Sequence, residues 1–539
     1  MLLVSRTSRL SRINDFSRAL PPAAVIGTVL ALIALVSTLG GGTATGALSN
    51  LKPRSLGARS AGCGVPVGKG VSWPAAKWAV CFPGAIAQSS PTVGTYRNVT
   101  ILAVGDENGM VHVVDAANGA ELPGWPRQMD SPRGAKVAIE GSPTIAYLNG
   151  TNRPPSIVVG TASIWAHNVA REVEAFTMRG RVRFIFHVGA TPGTAPGVFS
   201  TPAVGSLTGG PQQDIVFGSW DHYIYALNPD GKLLPGFPIN NADTIWSSPA
   251  LYHVAGTKGD SIFVGGDASG WHGCRGGWIS DYRLVHGSPA LIWQHCENQT
   301  IWSSPAVGII NSSGRPAVVV GTGFYEQPFP SATNKIFAFY ADNGAPVPGW
   351  PVTTPGPTIG SPAIGAVNDT GRPAVVESSW ICNGATAASC TATNASVVTA
   401  WNGNGSPLWQ TRLLGATTFS SPILAPLSSS QSWNDVLIGS PYGLYAINGS
   451  DGNYMFGTTN AEQHSAINFT CRVYNSAAVA SIAKATGIDN NYVFEACGGP
   501  EEFHHVGEIA AYRLPNTLPV ISSEWPMFHA NSSHDGVAT

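Results

Sequence analysis

The side chains able to do acid–base or metal chemistry gather in two places. Trp220-Asp221-His222 stand together, and Glu501, Glu502, His504 and His505 crowd one short stretch. A carboxylate beside an imidazole can move a proton or hold a metal. Neither group has the spacing of a zinc-protease helix, and the chain contains no C-x-x-C pair. No G-x-S-x-G, P-loop or dinucleotide fingerprint stands in its strand–turn–helix setting. No metal site is expected, and both groups read equally as solvated polar loops.

A second set is aromatic and recurrent. Gln88, Glu140, Phe199, Trp246, Trp302, Ile359, Phe419 and Tyr474 each stand three residues before the second residue of one copy of a repeated two-residue step, and five of the eight are aromatic. Trp165, Trp220, Trp271, Phe324 with Tyr325, Trp380, Tyr442 and Phe503 recur at a second position. Rings supply large contact area at little conformational cost, so a circle of them suits stacking on a sugar or another planar ligand. The same rings could instead fill the gaps between neighbouring sheets. The candidate ligand-contacting residues are Glu140, Phe199, Trp246, Trp302, Phe419, Tyr474, Trp220, Asp221 and His222.

The repeated step is Ser/Thr-Pro. It stands at Ser90, Ser142, Thr201, Ser248, Ser304, Ser361 and Ser421, with an eighth copy at Ser476-Ala477; the spacings are 52, 59, 47, 56, 57, 60 and 55 residues. This period fits one four-stranded propeller blade with its loops. Within each repeat the first strand follows the proline, as in PAVG (202–205). The second is an apolar run such as DIVFG (214–218), which suits burial on both faces. The third alternates, as in IYALN (224–228). A turn such as NPDG (228–231) or NGNG (402–405) then closes a hairpin through a glycine that accepts positive φ. The fourth strand begins near Trp125, Phe184, Phe237, Trp293, Trp350, Trp409 or Phe456.

That leaves the eighth fourth strand missing. The stretch 75–91 aligns with 289–305, so Trp78 takes the place of Trp293. The expected fold is therefore all-β: an eight-bladed β-propeller of four-stranded blades. Its ring closes when a strand at about residues 75–83 completes the last blade. Closure removes strand edges that would otherwise pair between molecules.

The pattern SSPAVG, then IVVG, then IYALN-x-DG-x-LLPG[FW]P resembles the FG-GAP/VCBS and quinoprotein-like (PQQ-like) propeller repeats, most fully at 200–238. The tail EWPMFHANSSHDG (524–536) is similar to a WPMF…H-x-G segment at an end of such proteins. The resemblance implies a propeller over about residues 75–514. It implies no single task, because members include binding ectodomains, dehydrogenases, assembly factors and polysaccharide lyases. FG-GAP repeats often carry a calcium loop, D-x-D-G-D-G. The stretches at 206–214, 309–317 and 366–374 have lost most of those aspartates. The tryptophan-docking motif and adjacent cysteines of quinoprotein dehydrogenases are also missing. No cofactor is expected; calcium and PQQ are the two that the resemblance brings into question.

Arg6, Arg9, Arg12 and Arg18 precede an uncharged apolar stretch at about 23–39. Such a segment is either an uncleaved anchor or a signal peptide. Both place the remainder outside the cytoplasm. The expected organisation is a basic flank (1–22), this segment (23–39), a linker (40–74), the propeller (75–514) and a tail packing on it (515–539). Eight cysteines fit an oxidising compartment. They fall in close sequence pairs: Cys63 and Cys81, Cys274 and Cys296, Cys382 and Cys390, Cys471 and Cys497. Ten N-x-S/T sequons matter only if the source glycosylates them. Net charge is −2 with 11% charged residues, and no basic face for nucleic acid is present. The expected role is an extracytoplasmic, non-catalytic module that presents an aromatic face to a glycan or protein. The alternatives are a polysaccharide-cleaving or quinone-dependent propeller enzyme and a structural envelope protein.

Overall fold

The computed structural model describes residues 76–538, apart from 132–136, 165–169, 190–196, 269, 324–333, 382–394, 416, 418, 429–432, 456–465, 468–471, 485–486, 499–505 and 515–524. Thirty-two strands, numbered β1–β32 in chain order, form eight four-stranded sheets. All pairings within them are antiparallel; blade one, for example, runs β2 (Thr92–Tyr96), β3 (Val99–Gly105), β4 (Met110–Asp115), β5 (Arg127–Gln128). Blades two to seven follow in order over 144–187, 203–240, 250–297, 306–353, 363–414 and 423–467. The protein is an eight-bladed β-propeller.

Blade eight joins the chain's two ends. Its order is β1 (Ala76–Phe82), β32 (Gly507–Arg513), β31 (Gly487–Cys497), β30 (Ala478–Lys484). Trp78 pairs with Ala511 and Val80 with Ile509, so the strand expected at about 75–83 is the outer strand of the last blade.

Strand burial departs from the sequence pattern in one respect. The second strands are buried throughout, as expected. The third strands, read as alternating, are buried too: 223–227, 335–340 and 443–447 expose none of their residues. Blades stack face to face, so both faces of the inner three strands are covered. Solvent exposure concentrates at outer strands such as 182–187 and 288–297, with single exposed residues at the ends of some inner strands, such as Val99 and Ile309.

Each outer-strand aromatic reaches the next blade. The indole N–H groups of Trp78, Trp125, Trp293, Trp350 and Trp409 donate to Ala116 O, Met178 O, Ala341 O, Gly403 O and Gly449 O at 3.0, 3.2, 3.4, 3.0 and 2.6 Å. The ring packs on a turn that has no room for a side chain. A Cβ on Gly344, whose φ is +71°, would lie 2.7 Å from the Trp293 ring. Phe184 and Phe237 fill the corresponding places in blades two and three without an N–H to donate. Phe456 lies outside the described residues.

Candidate functional site

The repeated hydroxyls meet at the axis. The backbone N–H of Ser90 donates to Ser142 Oγ, Ser142 to Thr201, Thr201 to Ser248, Ser248 to Ser304, Ser304 to Ser361, Ser361 to Ser421, Ser421 to Ser476, and Ser476 back to Ser90. All eight bonds measure 2.8–3.0 Å and close one continuous belt. The chemistry explains the motif. Serine or threonine supplies the acceptor, and the following proline brings no N–H that would need a partner of its own. Proline also holds the preceding residue extended. Blade eight keeps its belt bond with Ala477 because the acceptor is Ser476. Where a second serine precedes the belt residue, it serves its own blade: Ser89, Ser200, Ser247, Ser303 and Ser420 accept the N–H of a glycine at or near the end of the second strand.

The C-terminal tail runs inside this ring. Six inner strands donate to its carbonyls: Leu424 to Trp525, Val479 to Pro526, Ile145 to Ser532, Val204 to Ser533, Leu251 to Asp535 and Val307 to Gly536, all at 2.7–2.9 Å. Blade one contributes Thr92 Oγ1, 2.9 Å from His534 Nε2. His529 and His534 are fully buried, and each ring lies within hydrogen-bond distance of carbonyl oxygens on both sides: His534 O and Pro305 O for one, Phe528 O and Pro143 O for the other. The tail plugs the channel.

Above the belt lies the aromatic tier. Phe199 stacks on Trp220 (5.6 Å, 16°) and touches Trp246 at 5.1 Å; Trp246 stacks on Trp302 (4.9 Å, 26°). Phe199, before blade three, meets Phe419, before blade seven, at 5.5 Å across the ring. A buried network orients the tryptophans: Trp302 Nε1 donates to Asp267 Oδ1 at 2.9 Å, Thr244 Oγ1 to Asp267 Oδ2 at 2.8 Å, and Trp246 Nε1 to Thr244 Oγ1 at 3.2 Å. Burial, then the neighbouring Asp243, hold the Asp267 carboxyl well above the usual range. Sequence reasoning missed Asp267; its one signal is an acid closing an otherwise apolar second strand, SIFVGGD (261–267). Trp220, Trp246, Trp302 and Tyr474 are buried, and only Phe199 and Phe419 are half-exposed.

Between this tier and the tail sits a cavity of about 50 Å³. Of the candidate residues it gathers Glu140, Phe199, Trp246, Trp302 and Phe419, together with Gln88, Ile359, seven belt residues and Phe528 of the tail. Trp220 stands behind Phe199. Tyr474 is not among the lining residues; its hydroxyl accepts from Arg472 Nη1 at 3.2 Å.

Trp220-Asp221-His222 diverge rather than converge. Asp221 turns into its blade and accepts from the Tyr225 hydroxyl at 2.5 Å. Burial raises its carboxyl above the usual range, against hydrogen bonds from Tyr225 and Ser219 that pull it down. His222, at φ +77°, lies 3.5 Å from Asp243. Trp165, Phe324, Tyr325, Glu501, Glu502, Phe503, His504 and His505 lie outside the described residues. The stretches at 309–317 and 366–374 hold themselves by side-chain turns, with Asn311 accepting from Ser313 N and Asn368 from Thr370 N. Among the described residues no three His, Cys, Asp or Glu side chains are grouped as metal ligands would be.

Cys274 and Cys296 form a disulfide. Cys81 and Cys497 are each disulfide-bonded as well. They pair with Glu508 from its two sides, two strands apart, too far to be joined to each other. Cys63, Cys382, Cys390 and Cys471 lie outside the described residues. The disulfides fit an oxidising, extracytoplasmic compartment. Among the described residues no helix is long and apolar enough to cross a membrane, and the apolar stretch 23–39 lies outside them.

No family model and no curated protein matches the chain. Among solved structures it is similar to the V. cholerae biofilm matrix protein Bap1: 12% identity, TM-score 0.56, covering 87% of this chain and 96% of that one. It is similar also to the quinohemoprotein alcohol dehydrogenase of Comamonas testosteroni (13% identity, TM-score 0.53, 84% and 78% covered). Quinohemoprotein alcohol dehydrogenase ADHIIG of Pseudomonas putida HK5 matches at 11% identity, TM-score 0.50, with 84% and 77% covered. At such identities the likeness shows the fold alone, a β-propeller, and the quinoprotein-like resemblance rests on the repeat residues. The FG-GAP/VCBS resemblance rests on the repeat residues alone.

Proposed function

We propose that this chain is a non-catalytic extracytoplasmic binding module that docks a glycan or protein on the aromatic mouth of its ring. The observation that carries this reading is the cap: Phe199 and Phe419 meet over the axis, braced by buried Trp220, Trp246 and Trp302. A rigid aromatic surface loses little freedom on binding. Among the described residues the axis below it leaves little space for a cofactor. A planar quinone needs a site in the range of roughly 300–1,000 Å³, and the cavity offers about 50 Å³. The residues therefore do not fit PQQ on the axis, and a quinone-dependent reaction is the weaker reading.

The test is a glycan array and a cell-surface binding assay with Phe199→Ala plus Phe419→Ala. These two are chosen because the tryptophans are buried and their loss would unsettle the fold. At least a tenfold loss of binding, with an unchanged circular dichroism spectrum, is expected. Undiminished binding would refute the mouth as the docking surface. The plugged channel favours one other reading, a structural envelope protein held by the segment at 23–39. Wild-type protein silent in both assays but fractionating with the envelope would favour that reading instead.

A further inference from the structure

The circle of residues above the belt is not uniform. Phe199, Trp246, Trp302, Ile359 and Phe419 form an apolar arc around the axial cavity, and Gln88 and Glu140 sit side by side as the polar arc. Gln88 is 6% exposed, and its Oε1 has no hydrogen-bond partner. Glu140 is 2% exposed and accepts from Ile164 N at 2.8 Å through Oε1. The belt hydroxyl oxygens complete the wall, each accepting one amide and keeping a second lone pair. Among the described residues no lysine, arginine or histidine lines the cavity.

The carboxylate, the acceptor oxygens and the ring faces favour the same charge. A carboxylate in a low-dielectric site draws a cation. Neutral oxygens with free lone pairs can ligate one. Aromatic faces carry negative charge density toward it. An anion would instead meet the carboxylate and the ring faces, with only neutral hydroxyl and amide donors among the described lining residues to balance it. A divalent ion asks for several carboxylates, and one is present. The cavity has room for on the order of three or four water-sized particles, which limits the guest to a bare or partly hydrated monovalent ion.

We propose that the axial cavity binds one small monovalent cation of the potassium or ammonium class, with Glu140 as its counter-charge and Gln88 Oε1 as a neutral ligand. The site goes beyond the docking reading and does not depend on it. Ion binding is read by stability and docking by the array, so either can fail alone.

The experiment is thermal unfolding of the full chain at constant ionic strength. Choline chloride is the background, replaced stepwise by potassium chloride or by methylammonium chloride. A ligand held only by the folded state raises the midpoint with concentration. A saturable rise of a few degrees is expected with at least one of the two ions. Potassium alone would identify a metal-ion site, and methylammonium alone an ammonium site. Glu140→Gln should abolish the dependence. Asp342→Asn, an exposed carboxylate paired with Arg315, should leave it intact. Gln88→Leu keeps the charge and should shift half-saturation upward roughly tenfold, which guards against a Glu140 variant that fails to fold. Equal midpoints in all three salts, or an undiminished rise in Glu140→Gln, would overturn the proposal.

Discussion

Two circles of hydrogen bonds join the blades, one at the axis and one at the rim, and they are built to different tolerances. The inner belt uses main-chain N–H and side-chain hydroxyl at all eight joints, within 2.8–3.0 Å. The outer circle uses indole N–H groups, spans 2.6–3.4 Å and is incomplete, with phenylalanine at Phe184 and Phe237. At the axis every amide is buried, so a missing acceptor leaves a polar group stranded. At the rim the ring's buried area does the joining, and the hydrogen bond is an addition to it.

The strictest break of this comparison is to remove the plug. Deleting residues 525–539 withdraws the acceptors of six inner-strand amides. A buried donor left unsatisfied costs about 1–3 kcal/mol, and the six together approach the roughly 5–15 kcal/mol of a whole domain. Water entering the opened channel would recover part of this. The expected outcome is a chain that is insoluble or melts without cooperativity, read by urea denaturation. An unchanged midpoint would reduce the tail to filler and leave the belt alone as the inner joint.

Acid separates the tail from the blades by a smaller amount. Burial lowers His529 to about 4 and His534 to about 3, with the neighbouring His529 adding to the effect at His534. Their folded-state pKa lies below the ordinary 6.5. The unfolded chain therefore takes protons first, and the stability present above 6.5 is lost as pH falls toward 4 and 3. At pH near 4 this amounts to about 3 kcal/mol for each ring. Asp535, raised to about 6 by burial, offsets part of it.

The blades respond with the opposite sign. Burial raises Glu377 to about 8 and Glu297 to about 7. Their contribution is full at low pH and is lost as pH rises through those values. Hydrogen exchange, corrected for intrinsic rates, should show the amides of Ile145, Val204 and Leu251 losing protection from neutral to acid pH while blade interiors gain it. A uniform response would erase the distinction.

The two circles were also unequally legible in the sequence. The belt writes itself as a Ser/Thr-Pro step because only a hydroxyl can take the neighbouring amide there. Trp78 was readable because four of the other outer joints place an aromatic 11 or 12 residues before that step. The tail's course was not readable. It binds through carbonyl oxygens, which every residue carries, so WPMFHANSSHDGVA shows no period that a reader could use. The aromatic residues of the tier were visible as types, but their orientation depends on Asp267, 35 residues before Trp302 along the chain. The third strands misled because IYALN alternates in residue type while both of its faces are covered.

The smallest test sets one joint of each circle side by side. Ser304→Ala strands the buried amide of Ser248 and should cost about 1–3 kcal/mol. Ser304→Thr should cost little, because Thr201 already holds this place in blade three. Trp350→Phe keeps a ring at the rim and removes only the bond to Gly403 O. It should cost about 0.5–1.5 kcal/mol, since Phe237 stands at the same position in blade three. All three are measured as midpoint shifts in urea at constant slope, so that the compactness of the unfolded chain is unchanged. If Trp350→Phe proves the costlier, the rim rather than the axis holds the ring shut. The invariance of the belt would then reflect the geometry of the inner strands, with little bearing on stability.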